Sequence, residues 1–393
     1  MAVQQPTLND LYVSILSDLK SELGITSDFF GKVFLMPLAM VQAGKLKLYY
    51  LAIANLQRNI FVDLAEPISF GGTLERFGLV KLNRLPFTAQ SGSYDVTVTG
   101  TIGVLIPANT TFKSNDDSLS PSKLYVLDAD YTMITESDVI TVRATEGGLD
   151  SRLVVADKMS LTAPIANLDT IATVVAETII PLSAEDIEDY RAKVIEAYQL
   201  EPQGGAGSDY RIWSSDAQGV LRVYPYARFG FPNEVVVFVE ATIADSSDGK
   251  GTPTQAILDD VADVIEFDPD TTKPLNERGR RPLGVFDVVV SSITLLEIDL
   301  EFTGFLNLTA EKQTSILNAV IDFLSKTRPF VASSDVLANK NDIISVNNLT
   351  FIVLEAEPTA VFTSLDLKVD SVSVPSLTLL DGNIPTLNTI TYV

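Results

Sequence analysis

The 393-residue chain is long enough for roughly two to four domains, and its 46% hydrophobic and 20% charged residues describe a folded protein. A formal charge of −23, with no dense lysine or arginine cluster, lacks the basic face that a nucleic-acid binder needs to displace counterions. The absence of cysteine and histidine excludes disulfides, thiolate and imidazole metal sites and Ser-His-Asp or Cys-His machinery, leaving carboxylates, lysine, tyrosine or a bound cofactor for any catalysis.

The start, Met1-Ala2-Val3-Gln4-Gln5, has neither a basic n-region nor an apolar core, so no secretory signal is visible. From Thr7 to about Phe61 the pattern is helical. Leu8, Leu11, Tyr12, Ile15, Leu16, Leu19 and Leu23 recur at spacings of three and four. Residues 33–44 form the most apolar stretch, far shorter than the about 20 residues needed to span a bilayer. We therefore expect no membrane partner and synthesis in a cytoplasm. A further run over 46–60 carries Tyr49, Tyr50, Ile53, Leu56 and Ile60. These helices carry more apolar face than a short segment can bury alone. They pack on each other or on the main body, or they join a bundle with another subunit.

After Gly71-Gly72 and a turn at Gly78 the period changes to two. Tyr94, Val96 and Val98 alternate with Asp95, Thr97 and Thr99, and Ile102, Val104 and Ile106 resume the pattern until Pro107 ends the strand. With strands at 124–127 and 139–144, residues 86–180 predict a β-sandwich-like domain or small barrel. Ser183 is placed as the cap of an acidic helix whose Ile187, Tyr190, Val194 and Tyr198 share a face, with Asp189 able to meet Lys193. Strands at 220–224, 235–239 and 286–290 follow, the second apolar on both faces and so buried. Between the last two lies a helix opened by Thr252-Pro253-Thr254-Gln255, with proline at the first helical position and Ile257, Val261, Val264 and Ile265 on one side. In the last third, Leu296, Ile298, Leu300 and Phe302 alternate with acidic residues. Thr309 caps a helix whose Leu317, Val320, Ile321 and Leu324 face inward, and strands are expected at 351–354 and 365–369. The fold expected is multidomain α+β: an N-terminal helical, bundle-forming region over 1–85 and a β-rich domain over 86–180. A mixed α/β middle domain over 181–292 and a small α+β C-terminal domain over 293–393 complete it.

Chemical signals are weak throughout. The glycine-rich turn 203–208 has no following Gly-Lys-Ser/Thr and no preceding strand, which argues against a phosphate loop. Asp245-Ser246-Ser247-Asp248-Gly249 lacks the ligand spacing and closing glutamate of a calcium loop. Asp259, Asp260, Asp263, Glu266, Asp268 and Asp270 describe a solvated acidic face. Arg278, Arg280 and Arg281 form the tightest basic group and read as a salt-bridged turn involving Glu277, or as a contact for an anion or acidic neighbour. No catalytic, cofactor-binding or metal-binding residue is assigned, and no cofactor is expected.

What remains is a series of turns and caps in a fixed order. It comprises Gly71-Gly72-Thr73-Leu74-Glu75-Arg76 up to Gly78, Ile106-Pro107-Ala108-Asn109-Thr110 and Glu185-Asp186-Ile187-Glu188-Asp189-Tyr190-Arg191. Gly205 with Tyr210 and Trp213 follows, and Arg281-Pro282-Leu283-Gly284 closes it. In this order the chain resembles the J-like baseplate wedge proteins of contractile phage tails, a family that includes a wedge protein of phage Mu. Departures occur at Glu146-Gly147-Gly148-Leu149-Asp150, where the family often has Gly-x-x-Gly-Asn, and at Ser214, where alanine commonly follows the tryptophan.

The resemblance implies a non-enzymatic, structural subunit of the virion's tail baseplate. In that role two copies combine with a smaller wedge subunit through their N-terminal helices. Wedges then join into a ring around central hub or sheath-initiating proteins and take part in the rearrangement that triggers sheath contraction. The candidate intersubunit helix is the Leu8–Leu23 stripe. The candidate structural turns and caps are Gly71, Gly72, Gly78, Pro107, Ser183, Gly205, Arg281, Pro282 and Gly284. A tail-associated hydrolase using a carboxylate pair and a peripheral adhesin-like module are the alternatives.

Overall fold

The computed structural model describes residues 5–24, 34–200, 204–332 and 334–393. The first four residues, Val33 of the 33–44 stretch and Gln203 of the glycine-rich turn lie outside them. The chain divides into two compact units, Met1–Leu85 and Pro86–Val393.

In the first unit, α1 (Leu8–Glu22) starts at a reciprocal capping box. Asp10 N donates to Thr7 Oγ1 at 3.1 Å and Thr7 N to the Asp10 carboxylate at 3.0 Å. Helix α2 (Met36–Arg58) packs on α1, and Lys47 Nζ reaches Pro6 O at 3.0 Å. Leu11 is buried from α1, with Leu35 and the small Ala39 and Ala43 from the start of the second helix. A short helix, α3 (Leu74–Lys81), follows the Gly71-Gly72 turn. Gly71 caps the preceding 3-10 turn at φ +78°, and a Cβ on Gly72 would collide with the Glu66 carbonyl, so neither position accepts another residue easily.

The second unit begins with a closed antiparallel barrel. Its strands are β1 (Ser93–Thr99), β3 (Thr111–Ser114), β4 (Leu124–Leu127), β6 (Ser137–Ala144), β7 (Lys158–Leu161) and β8 (Ile171–Ile179), in the order β1-β6-β4-β3-β7-β8. A two-stranded pair, β2 (Leu105–Ile106) with β5 (Tyr131–Thr132), lies outside this ring. Alternation decides the inside: Tyr94, Val96, Val98, Ile140, Val142 and Ala144 fill the core, while Val139 and Arg143 point out. The domain is thus a barrel rather than a sandwich, and closure leaves the six-stranded ring itself without a free edge. Tyr94 and Tyr125 meet edge to face at 5.7 Å, and both hydroxyls donate to Ser151 O, at 3.3 and 2.9 Å.

Next comes a three-stranded sheet in the order β11-β10-β9. Strands β9 (Val220–Ala227) and β10 (Glu234–Ala241) form a hairpin, and β11 (Asp287–Ser292) runs parallel to β10. Two helices, α4 (Ile187–Gln199) and α5 (Gly207–Ser214), precede the sheet, and α6 (Gln255–Glu266) is the crossover required by the parallel pair. Ile257, Val261 and Ile265 of α6 pack on Val237 and Val239. Of the strand foreseen as buried on both faces, Val235, Val236 and Phe238 are only half-buried.

Two local expectations fail in this region and a third is met only in part. The α4 cap is Asp186, which accepts from Glu188 N and Asp189 N, while Ser183 N donates to the Asp245 carboxylate at 2.7 Å. Lys193 makes its ion pair with Glu185 at 2.9 Å, and its charge also acts on Asp189. Helix α6 is capped by Thr254, so Pro253 precedes the cap instead of occupying the first turn.

The last sheet has the order β15-β14-β12-β17. Strand β12 (Thr294–Thr303) is antiparallel to β14 (Ser364–Val369) and parallel to β17 (Asn383–Tyr392), and β15 (Val372–Ser373) continues from β14. Helices α7 (Ala310–Lys326) and α8 (Val346–Ala356) build the core with Ile298, Leu300 and Phe302, beside a small β13 (Ile343–Ser345) and β16 (Ser376–Thr378) pair. Thr309 caps α7 as expected, but Ile316, Val320 and Leu324 face inward, while Leu317 and Ile321 are 39% and 48% exposed. Residues 351–354 belong to α8, not to a strand. Ser345 Oγ accepts from Asn348 N, and Leu349 and Val353, four apart, are the residues buried.

Candidate functional site

Of the motif residues of the second unit, the acidic helix lies at the joint between barrel and middle sheet, Gly205 and the arginine turn meet inside the middle domain, and Pro107 lies in the barrel domain. At the first joint, the acidic helix motif ties the barrel to the middle sheet. Glu185 accepts from Phe87 N at 3.1 Å and pairs with Lys193 Nζ at 2.9 Å, both side chains being almost fully buried. Tyr190 is fully buried on the same helix. Asp189 lies beside them, and burial, with Asp186 nearby, raises its carboxyl above the usual range. Gln218 Nε2 spans the joint to Thr88 O and Ser183 O, at 3.0 and 2.8 Å. Pro107 begins a tight turn in which Thr110 Oγ1 donates to Pro107 O and Asn109 sits at φ +64°.

Within the middle domain the structure brings Gly205 and Pro282 together, two motif positions 77 residues apart in sequence. Gly205 holds φ +117°, and a Cβ there would lie 2.7 Å from Pro282 Cγ. Asp209 of α5 accepts from the backbone N–H groups of Gly205 and Ala206, and Tyr210 and Trp213 meet edge to face at 5.3 Å. Burial is the main reason the Tyr210 hydroxyl is held above its ordinary range. The arginine turn is salt-bridged, but not through Glu277. Arg280 pairs with Asp216 at 2.8 Å and Asp268 at 3.5 Å, and Arg281 with Glu266 at 3.2 Å. Gly205→Ala is therefore expected to cost about 1–3 kcal/mol from the backbone alone. Gly284→Ala, which meets open space, should stay within about 0.5 kcal/mol. Urea unfolding followed by Trp213 fluorescence measures both, and equal costs would refute the distinction.

At the joint between the middle sheet and the C-terminal core an ion network carries the contact. Arg211, 4% exposed at its side chain, meets Asp335 at 2.6 and 3.1 Å and Glu196 at 2.9 Å, and its Nε donates to Val223 O. Burial opposes its charge, yet the two carboxylates hold the guanidinium above its usual range. Beside it, Arg328 pairs with Glu240 at 2.9 Å, and Glu240 also accepts from Tyr224 Oη at 2.6 Å. Tyr224 is fully buried, which pushes its hydroxyl well up. Val331 packs into a small core with Tyr224, Ile293 and Ile384. Sequence reasoning missed this network, because its members are single charges on separate elements.

In the first unit, the Leu8–Leu23 stripe is only partly available. Leu11 is buried, Tyr12, Ile15, Leu16 and Leu19 are half-buried, and Leu8 and Leu23 are exposed. The larger open surface is on α2. Leu46, Tyr49, Ile53 and Leu56, with Ile60 just beyond the helix, recur at spacings of three and four and are 38–68% exposed. That is the three-four spacing of a helix seam.

Among the described residues, no group of three or more acidic side chains could hold a metal, and no helix is long and apolar enough to cross a membrane.

Residues 202–292 match the family model described as the baseplate J-like central domain. A 42-residue segment is 45% identical to the putative protein JayE of Escherichia coli K12, covering 11% of this chain and 16% of that protein. Over 137 residues the chain is 28% identical to the Mu-like prophage FluMu protein gp47 of Haemophilus influenzae, covering 34% of this chain and 36% of the relative. Both matches span well under two thirds of the relatives' length. A chain of the six-fold symmetrised baseplate of the anti-feeding prophage aligns over 96% of this chain and 90% of its own. It does so at a TM-score of 0.45 and 10% identity, a likeness too distant to fix the fold.

Proposed function

We propose, from the premise that this chain is a baseplate J-like phage protein, that it is a wedge subunit of a contractile tail. In this reading it works in the virion's tail baseplate without enzymatic activity. The 86–393 unit is a semi-rigid arm of three small cores, joined by the acidic helix motif at one contact and by the Arg211 and Arg328 ion pairs at the other. Its wedges link into a ring around hub or sheath-initiating proteins and rearrange when the sheath contracts. The N-terminal helices enter a bundle with another copy and a smaller wedge subunit.

The observation that carries this reading is the exposed three-four stripe of α2. Four large apolar side chains along one helix face, with Ile60 just past its end, are more than a monomer usually leaves in water, and burying each contributes about 1.5–3 kcal/mol. Tyr49→Asp with Leu56→Asp is therefore expected to abolish co-purification with a small wedge protein co-expressed from the same gene cluster. The barrel and both following cores should keep their native unfolding transition. Undiminished co-purification would sink the bundle, and global unfolding would show that the stripe packs within the chain. Cell-wall or polysaccharide clearing by the purified protein at any pH would revive the hydrolase reading instead.

A further inference from the structure

Apolar surface lies off both ends of strand β10, and the two surfaces have opposite shapes. Where β10 and β11 begin, the 228–233 turn and the 281–286 turn lie side by side. Phe286 N donates to Asn233 O at 2.7 Å, and Glu234 pairs with Asp287 across the parallel strands. From this tip Phe229 and Leu283 project fully into solvent, with Phe286 at 76% and Phe231 at 49% exposed. The arginines beneath are neutralised in place. Arg228 binds Glu234 at 2.6 Å and lies 4.1 Å from the Phe231 ring centre, and Arg281 binds Glu266. The tip is a fixed apolar projection, with the exposed Asp287 at its side.

At the other end of β10, eight residues or about 26 Å away at ~3.3 Å per residue, lies a groove of about 690 Å³ between α7 and β17. Ile243, Leu317, Ile321, Leu387, Ile390 and Tyr392 give it an apolar lining. Leu317 and Ile321 are the α7 residues that the core leaves out. The charged side chains along it are Lys250 and Arg328, with no carboxylate, in a chain whose formal charge is −23. Lys250 forms no ion pair among the described residues.

We infer that the Phe229–Leu283–Phe286 tip of one copy seats in the α7/β17 groove of a second copy, head to tail, with Asp287 toward Lys250. Projection and groove lie at opposite ends of one strand, so each copy offers both halves of the contact. Such a heterologous contact propagates into a ring or an open chain instead of closing as a two-fold dimer. Three or four large side chains, each burying about 150–250 Å², form a contact at the small end of specific interfaces. It therefore acts between copies already held close, and for that setting it rests on the assembly reading above.

The absence of native cysteine allows a direct test on the full chain. Gly284→Cys sits in open space at the tip and leaves its apolar residues intact, and Gln313→Cys lies on the exposed rim of the groove. Mixed under mild oxidation, these two variants should form an intermolecular disulfide about tenfold faster than Gly284→Cys mixed with Asp117→Cys on the barrel surface. Ile321→Asp in the groove partner should remove that advantage. Lys250→Glu should reduce it, and Asp287→Lys in the tip partner should restore it. Equal rates for the two mixtures, a fastest product of Gly284→Cys with itself, or indifference to Ile321→Asp would each overturn the proposal. None of these results touches co-purification through α2, so the two readings fail separately.

Discussion

Arg211→Ala is expected to destabilise the 86–393 unit by about 3–5 kcal/mol, the cost of breaking a buried ion pair by removing one partner. The guanidinium is almost fully enclosed and bonds to both Asp335 oxygens, to Glu196 and to Val223 O. Removing it leaves two carboxylates facing each other in a partly enclosed site without a cation. The single tryptophan, Trp213, lies two residues along the same helix and reports the transition in urea. Replacing the whole group with Arg211→Met, Asp335→Leu and Glu196→Leu should cost clearly less than the single change, because no charge is then stranded. A single-mutant cost below about 1 kcal/mol would put this network with ordinary surface pairs and remove it as the fastener of the C-terminal core.

That fastener explains why some of the architecture was legible in the sequence and some was not. The barrel and β12 could be read because one face is wet and one is dry, so the period-two alternation of Tyr94-Val96-Val98 and Ile298-Leu300-Phe302 survives in the residues themselves. Residues 351–354 misled because a short apolar run has no period of its own, and the deciding signals, the Ser345 cap and the Leu349–Val353 spacing, lie mostly before it. On α7 the apolar stripe is wider than the core it covers. Spacing alone could not separate Val320, which is buried, from Ile321, which is not. Strand β17 was missed because Pro385 and the irregular register near Asn388 break its alternation.

The motif turns and exposed apolar surfaces show the same limit more sharply. The motif turns were visible as turns, but their pairing of Gly205 with Pro282 is a tertiary fact that no local pattern encodes. Phe229, Phe231, Leu283 and Phe286 occupy turns, where periodicity is silent. Only their flanking Gly230, Pro232, Pro282 and Gly284 hinted that large apolar residues were being held out by tight backbone. The Leu8–Leu23 stripe was the stronger sequence signal, yet the more exposed stripe is on α2, because α1 turns part of its apolar face against Ala39 and Ala43.

Phe302→Ala should cost about 3–5 kcal/mol, as expected for emptying a fully enclosed aromatic site. Phe302 stacks on Tyr392 at 5.2 Å and 11°, and meets Phe362 and Phe305 edge-on at 5.2 and 5.8 Å. These ring pairs contribute about 0.5–1.5 kcal/mol each beyond area burial. The effect should be directional. The end of the chain is tied to β12 at this residue, with Val393 N donating to Phe302 O and Gly304 N to Val393 O, both at 2.7 Å. Loss of the ring removes the support under Tyr392 while leaving those backbone groups in place. Hydrogen exchange should therefore accelerate first at Thr391 and Val393, before the β12–β14 pairing is affected. Because Tyr392 also lines the α7/β17 groove, the same variant should slow disulfide capture of the Gly284→Cys tip while leaving the barrel's exchange unchanged. Phe302→Leu, which keeps most of the volume, should retain both the strand end and the capture. Exchange that rises uniformly across the last sheet in Phe302→Ala would instead mean that this aromatic cluster holds up the whole domain, and that the groove has no local support of its own.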